Sequence, residues 1–437
     1  MNNIFFKGFI FFGLIFSSIL TFAQAPQAGE DLFGREADSV RTITTAVPFL
    51  LIGPDARSGA MGEAGVAISS DANAVHWNPG KLPFAKDDFG MGLTVTPWLR
   101  KLGINDMYLS YLTGYYKLTK ERTIFGSLTY FDLGDIQFTD AQGEFIKDYN
   151  PREFNLSAGY AMKFSKSLGV GMGLKYIYSN LSGQIQVPGS DAVTKPGQTV
   201  ATDLSTYYTK DIVIGGKNST VSAGMNISNL GAKITYTNSG DEKDFIPTNM
   251  RLGTAFKTEI DPYQNITFTV DANKLLVPSP PLYAFDHTTN TYITDDEGKR
   301  IIAHGEDPDR GVADGVFGSF TDAPGDYTYD ESTDTETYVS GSKGKEELSE
   351  IVWNFGAEYW YDNLLAFRAG YFHEHKFKGA RQFMTVGFGI RYEMLGIDVA
   401  YIIPFTPNHP LAETVRLGLT LNMNDIGGAG EEESILE

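Results

Sequence analysis

The chain has 437 residues, no cysteine and a formal charge of −19. The lack of Cys excludes a disulfide framework, thiolate zinc sites, Cys nucleophiles and a lipid-modified Cys anchor. The acidity argues against a nucleic-acid partner, which needs clustered Lys and Arg. The 4 Trp, 23 Tyr, 30 Phe and 47 Gly make an unusual mix for a soluble enzyme.

The amino terminus reads as an export signal. Lys7 supplies the basic end, residues 9–20 (FIFFGLIFSSIL) the apolar stretch, and Ala23-Gln24-Ala25 a small-residue cleavage pattern. The apolar stretch is too short to span a bilayer, so a signal peptide over 1–23, cut after residue 23 or 25, is expected. Residues 24–88 follow as a periplasmic extension and a hatch. Gly59, Gly62 and Gly65 and many alanines let this segment pack closely inside something else, and it has too few large apolar residues for its own core.

From residue 89 the pattern changes to period two. In 154–164 every even residue is apolar, with Asn155, Ser157, Gly159, Ala161 and Lys163 between. The segments 168–178, 266–272, 384–392 and 415–423 repeat the pattern. Alternation this long predicts β-strands with one apolar and one polar face. About 14 strands are expected: 89–97, 106–118, 122–131, 153–165, 168–180, 201–209, 219–230, 248–258, 264–274, 351–361, 364–374, 382–393, 395–404 and 413–423. Connections after strands 2, 4, 8, 10 and 12 are very short, and those after 3, 5, 7 and 9 are long. This sorting fits a transmembrane antiparallel β-barrel over 89–423, with short periplasmic turns and long extracellular loops. An even strand count then returns both termini to the periplasm. Trp98, Tyr115, Tyr116, Trp360, Tyr361 and Tyr401 sit near strand ends and are expected in the interfacial girdles.

The connection 275–350 carries 17 acidic and 5 basic residues, −12 of the total charge. A loop this long is expected to be functional or disordered. Its start is an apolar, Pro-rich stem: Leu276, Val277, Pro278, Pro280, Pro281, Leu282 and Tyr283. We expect this stem to bind partner or cargo. Residues 424–437 form an acidic tail, expected in the periplasm.

Three stretches carry a family resemblance: VPFLLIGPDARSGAMGEAGVA (47–67), VHWNPGKL (75–82) and DANKLLVPSPP (271–281). The first two resemble the N-terminal hatch of FadL-like barrels, which have 14 strands and a plug ending in Asn-Pro, here Asn78-Pro79. The hatch motif then comprises Asp55, Arg57, Met61, Gly62, Gly65, Asn78 and Pro79. With the third stretch, the chain looks most like the PorV/PorQ family of type IX secretion outer-membrane proteins. That resemblance implies a shuttle, which binds the C-terminal signal domain of secreted cargo at the translocon barrel. It then delivers the cargo to a cell-surface sortase and attachment complex. The alternative is a FadL-like passive transporter of hydrophobic small molecules. No cofactor is implied, and the remaining contacts are with outer-membrane lipid.

Other constellations are weighed against plainer readings. His373 and His375 share a strand face and have metal-ligand chemistry, but a polar rim is the preferred reading. Asp307, Asp309 and Asp314, or Asp295, Asp296 and Glu297, offer oxygens to calcium. Neither set matches a calcium loop, and a solvated acidic loop is preferred. Arg251, Asp271, Glu358, Arg368 and Arg416, with Lys163 and Lys175, fall on the polar face and are expected to form a lumen network. No nucleophile-elbow, zinc-protease or P-loop pattern occurs, so no enzyme activity is expected.

Overall fold

Fourteen strands with one apolar face cannot leave backbone groups unpaired in lipid, so the sheet must close. The computed structural model describes residues 41–139, 143–186, 193–238, 243–286, 289, 291–330, 335–405, 411–412, 414 and 415–424. The signal peptide and almost all of the acidic tail lie outside these residues. The sheet is a closed antiparallel barrel of 14 strands. In chain order they are β1 Phe89–Pro97, β2 Met107–Lys117, β3 Arg122–Leu133, β4 Arg152–Lys163, β5 Leu168–Asn180, β6 Gly197–Ile214 and β7 Lys217–Gly231. They continue as β8 Asn249–Asp261, β9 Gln264–Leu275, β10 Val352–Tyr361, β11 Leu365–His373, β12 Gln382–Tyr392, β13 Leu395–Pro404 and β14 Val415–Met423. β1 closes the ring by pairing with both β2 and β14 (Leu93 opposite Leu112 and Leu419).

The expected strands appear in the expected order. The largest difference is at β6 and β7, whose pairing continues to Ile214 opposite Lys217. There the ribbon runs past β5, whose pairing with β6 stops at Leu168 opposite Tyr208. Mixed polar and apolar residues obscure the alternation over 209–214, while Gly215 and Gly216, with φ +59° and +78°, make the two-residue turn. Asp362 and Asn363, also at positive φ, turn β10 into β11. Every even-numbered strand is therefore followed by a short turn and every odd-numbered one by a longer connection.

The faces divide as the alternation requires. Leu156, Phe164, Met172, Leu174, Leu417 and Leu419 point outward, each more than half exposed. Asn155, Ser157, Thr94, Ser205, Asn226 and Thr385 point inward and are buried. The girdle expectation is corrected in part. Tyr116, Tyr361 and Tyr401 have the parity of the outer face, whereas Tyr115 is buried inside. Trp98 packs against Phe131 in an inner cluster, and Trp360 lies inside beneath Arg368 and Arg391. Inner cations give a lumenal aromatic a partner that lipid headgroups would otherwise provide.

The core is the filled lumen. Val47, Phe49 and Leu50 pack on Leu109, Phe131, Ile177, Ala201, Ile234 and Ile246. Lower down, Ala72, Ala74, Val75 and Leu82 pack on Tyr115, Phe125 and Ala161. Two short helices, α1 Ala56–Gly59 and α2 Ala74–Trp77, and a 3-10 turn Pro79–Phe84 shape this inner segment.

The course of this segment is fixed by its backbone contacts at the two rims of the barrel. Arg41 N–H donates to Phe377 O (3.1 Å) and Ala46 N–H to Phe245 O (2.9 Å), both in long connections. Asp88 N–H donates to Met423 O (3.2 Å) at the short-turn rim. The segment thus enters at the long-connection end and leaves at the other. Strand parity governs only the wall from Phe89 onward, and the hatch adds one more crossing. Residues 41–88 therefore pass through the barrel as its hatch.

Candidate functional site

The hatch is fixed by residues from nearly every strand. Asp55 caps α1 by accepting from Ser58 N–H (2.8 Å), and its other oxygen accepts from Trp77 Nε1 (2.5 Å). Arg57 on α1 forks onto Glu358, with Nε and Nη2 at 2.9 and 2.8 Å from its two oxygens. The same guanidinium reaches Asp71 at 3.0 Å. Glu358 also accepts from Arg368, and Arg368 donates to Asp398, each at 2.8 Å. Arg391 completes the series on Asp398 at 2.7 Å. Six charges alternate in sign from hatch to wall, so the buried groups compensate each other.

The other hatch residues are bound through backbone. Asp271 accepts from Gly65 N–H (2.7 Å) and Val66 N–H (2.9 Å). Asn78 donates to Val66 O (3.1 Å) and Thr206 O (2.8 Å) and accepts from Gly80 N–H. Pro79 opens the 3-10 turn. Arg416 donates to Glu63 at 2.6 Å, and the Arg251 guanidinium lies 5.2 Å from the Trp77 ring centre. Met61 is fully buried among Ala67, Ile68 and Ala255. Gly62 has φ +66°, and a Cβ there would stand 2.6 Å from Tyr371 backbone atoms. Thr385 and Asn354 bond its two backbone groups. A Cβ on Gly65 would strike the Trp77 ring at 2.4 Å.

The structure thus gathers Asp55, Arg57, Met61, Gly62, Gly65, Asn78 and Pro79 with Arg251, Asp271, Glu358, Arg368 and Arg416. Sequence reasoning passed over Glu63, Asp71, Arg391 and Asp398. Asp398 was readable by parity, since it shares the inner face of β13 with Ala400 and Ile402. Glu63 and Asp71 lie in irregular backbone, where no period gives a direction. Lys175 pairs with Asp203 at 2.8 Å, and Lys163 lies over Phe84.

Two cavities adjoin the hatch among the described residues. One, about 470 Å³, opens toward the long connections and is lined by Thr44, Trp77, Arg251, Glu350, Phe372 and Arg381 among others. The other, about 500 Å³, opens toward the short turns and is lined by Arg57, Asp71, Lys86, Tyr207, Lys257 and Arg391 among others. Charged groups line both.

The long connection 276–351 is a folded lid. It holds the helices α3 Val312–Gly318 and α4 Ser342–Ser349 and small hairpins such as Tyr327–Asp330 with Thr335–Tyr338. Its root is ionic. Lys274 reaches Glu347 (3.1 Å) and Glu350 (2.6 Å), and Lys378 reaches Glu346 (2.7 Å) and Glu350 (2.9 Å). Ser279 Oγ donates to Glu350 at 2.7 Å. Burial raises the Glu350 carboxyl, but Lys378 and Lys274 outweigh it and hold the group below the usual glutamate range.

The apolar stem is not offered to solvent as expected. Leu276 and Val277 are at most 2 % exposed, Pro278 and Pro281 are buried, and Pro280, Leu282 and Tyr283 are half-buried. Val277, Pro278, Pro280, Pro281 and Tyr283 face a cavity of about 540 Å³ shared with 44–48. Solvent instead meets Phe317 on α3 (79 % exposed) and Leu348 on α4 (69 %). The acidic candidates close turns: Asp295 accepts from the backbone of Glu297 and Lys299, and Asp307 from Asp309. His373 bonds the Tyr371 hydroxyl (3.2 Å), while Arg381 takes the intervening Glu374 carboxylate. Among the described residues no His, Asp or Glu group has the arrangement of a metal site.

A search of curated proteins gives no match. Among solved structures, the chain is similar to the Ralstonia pickettii toluene transporter TbuX, at 11% identity and TM-score 0.44, covering 86% of this chain and 100% of that one. It is also similar to the Pseudomonas putida toluene transporter TodX, at 12% and 0.43, covering 84% and 96%. A Pseudomonas aeruginosa FadL homologue follows at 11% and 0.40, covering 88% and 100%. The assignment rests on the sequence family. The model described as "Type IX secretion system protein PorV" matches residues 35–282, more than half of the chain. With its closed 14-stranded barrel, this chain belongs to the PorV family and is an outer-membrane component of the type IX secretion system.

Proposed function

We propose that this protein binds the C-terminal signal domain of secreted cargo at the type IX translocon barrel and carries it to the cell-surface sortase and attachment complex. The long connections face outward in this reading, and the short turns face the periplasm. The observation that carries it is the contrast between a lumen occupied by the ion-paired hatch and an elaborated rim. The hatch is joined to the wall by a six-membered ionic series, and both chambers are charged, which suits a plugged barrel better than a conduit for hydrophobic molecules. The rim bears a folded acidic lid with several exposed apolar side chains, of which Phe317 and Leu348 are the most exposed among the described residues. Such a surface offers steering charge and apolar anchors together. Serial delivery calls for modest affinity, since cargo held too tightly would not be released. The protein acts by binding and not by catalysis.

The test is deletion of 282–345, which removes most of the lid but keeps Glu346, Glu347 and Glu350 at its root. The barrel should still assemble, and cargo should accumulate unprocessed. Purification of the tagged wild type from detergent-solubilised outer membrane should recover a translocon barrel, a sortase or proteins sharing one C-terminal domain. Normal cargo maturation in the deletion strain would refute the assignment of the working surface. Recovery of the barrel alone with bound lipid-like molecules would favour transport.

A further inference from the structure

The strap 41–52 runs from the long-connection rim into the hatch. We propose that this strap clamps the lid onto the rim. Three long connections hold the strap. Arg41 N–H donates to Phe377 O in the connection after β11. Its guanidinium donates to Gly325 O (2.6 Å), lies 3.1 Å from Glu346 and also engages Asp326, all in the lid. Ala46 N–H donates to Phe245 O in the connection after β7.

Beyond these bonds the strap is anchored by side chains. Val47, Phe49 and Leu50 are at most 5 % exposed, packed with residues of β2, β3, β5 and β6. Pulling the strap back through the lumen would unpack that cluster and then break the Arg57–Glu358 fork.

The clamp follows from the same contacts. Glu346 is shared between Arg41 and Lys378, so strap, lid and the connection after β11 meet at one carboxylate. Gly325 N–H also donates to Glu346, at 2.9 Å. Arg41 is the cation that the strap contributes to this junction.

The clamp has its own readout. Loss of a charge-assisted contact of this kind corresponds to roughly tenfold easier opening. Arg41→Ala should therefore raise cleavage of the lid by an acidic-residue-specific protease about tenfold, with the heat stability of the barrel unchanged. Arg41→Lys should restore part of the protection. Cleavage at the wild-type rate in Arg41→Ala would overturn the clamp.

Discussion

The hatch and the lid are both polar segments outside the barrel wall, yet they are held in opposite ways. The hatch touches the wall on all sides, and its charged groups are paired from one strand to the next. The lid is fastened at its root by Lys274 and Lys378, and outward from there its bonds run mainly within itself, as between Tyr327–Asp330 and Thr335–Tyr338. The difference teaches which segment is part of the barrel's stability. Rearranging the hatch breaks contacts with the core, whereas rearranging the lid tip breaks few.

The contrast is tested most severely at Glu358. Its removal leaves the Arg57 and Arg368 guanidinium groups buried and facing each other. Glu358→Ala should cost about 3–5 kcal/mol, read as a fall in the temperature at which the folded barrel unfolds in gel-shift assays. Adding Arg57→Met should recover part of the loss, because the pair is coupled. An undisturbed unfolding temperature would show that the ionic series does not support the barrel.

A pair of glycines gives the next largest effect. Gly62 in the hatch and Gly341 in the lid both have positive φ, +66° and +80°. Alanine at either meets backbone strain of about 1 kcal/mol or more. At Gly341 a Cβ meets nothing within 4 Å, but at Gly62 it meets the Tyr371 backbone at 2.6 Å. Gly62→Ala should therefore lower the unfolding temperature clearly more than Gly341→Ala. Equal shifts would mean that the hatch yields as readily as the lid.

The wall was legible in the sequence because a two-residue period states both a strand and its two faces. The β1 to β14 order and the inward placement of Glu358, Arg368 and Arg416 follow from parity alone. The hatch motif was legible as a run of small residues, since Gly62 and Gly65 are needed where backbone meets Tyr371 and the Trp77 ring. Its direction of travel was not, because irregular backbone has no period and Arg41 finds its partners more than 280 residues away. The stem misled for a related reason. Composition shows that Leu276 and Val277 are apolar but not whether the chain itself covers them.

The lid root should also respond to pH. The Glu350 carboxyl is held below its ordinary value by Lys378 and Lys274 after burial is overcome. A depressed carboxylate contributes stability that is present above its unfolded value and lost as pH falls through the folded one. Protease protection of the lid should thus be full at neutral pH and decline below about pH 4. Glu350→Gln should already lack part of that protection at neutral pH and show a flatter acid response. A lid that loosens with rising pH would contradict the assignment of Glu350 as its ionic root.

The smallest effect on stability is expected where the effect on function should be largest. Phe317 and Leu348 are 79 % and 69 % exposed, so a change to Asp removes almost no buried area and should alter stability by within about 0.5 kcal/mol. If the lid tip is the binding surface, the same substitutions place charge where an apolar partner group must be desolvated, and they should weaken recovery of cargo or translocon. A stable barrel with lost partners would separate binding from folding and confirm the division between lid and hatch. A stable barrel with full partner recovery would move the working surface away from α3 and α4. The cavity beneath the stem, between Val277, Pro281 and the 44–48 strap, would then be the place to look, because apolar residues of the stem line it at the rim.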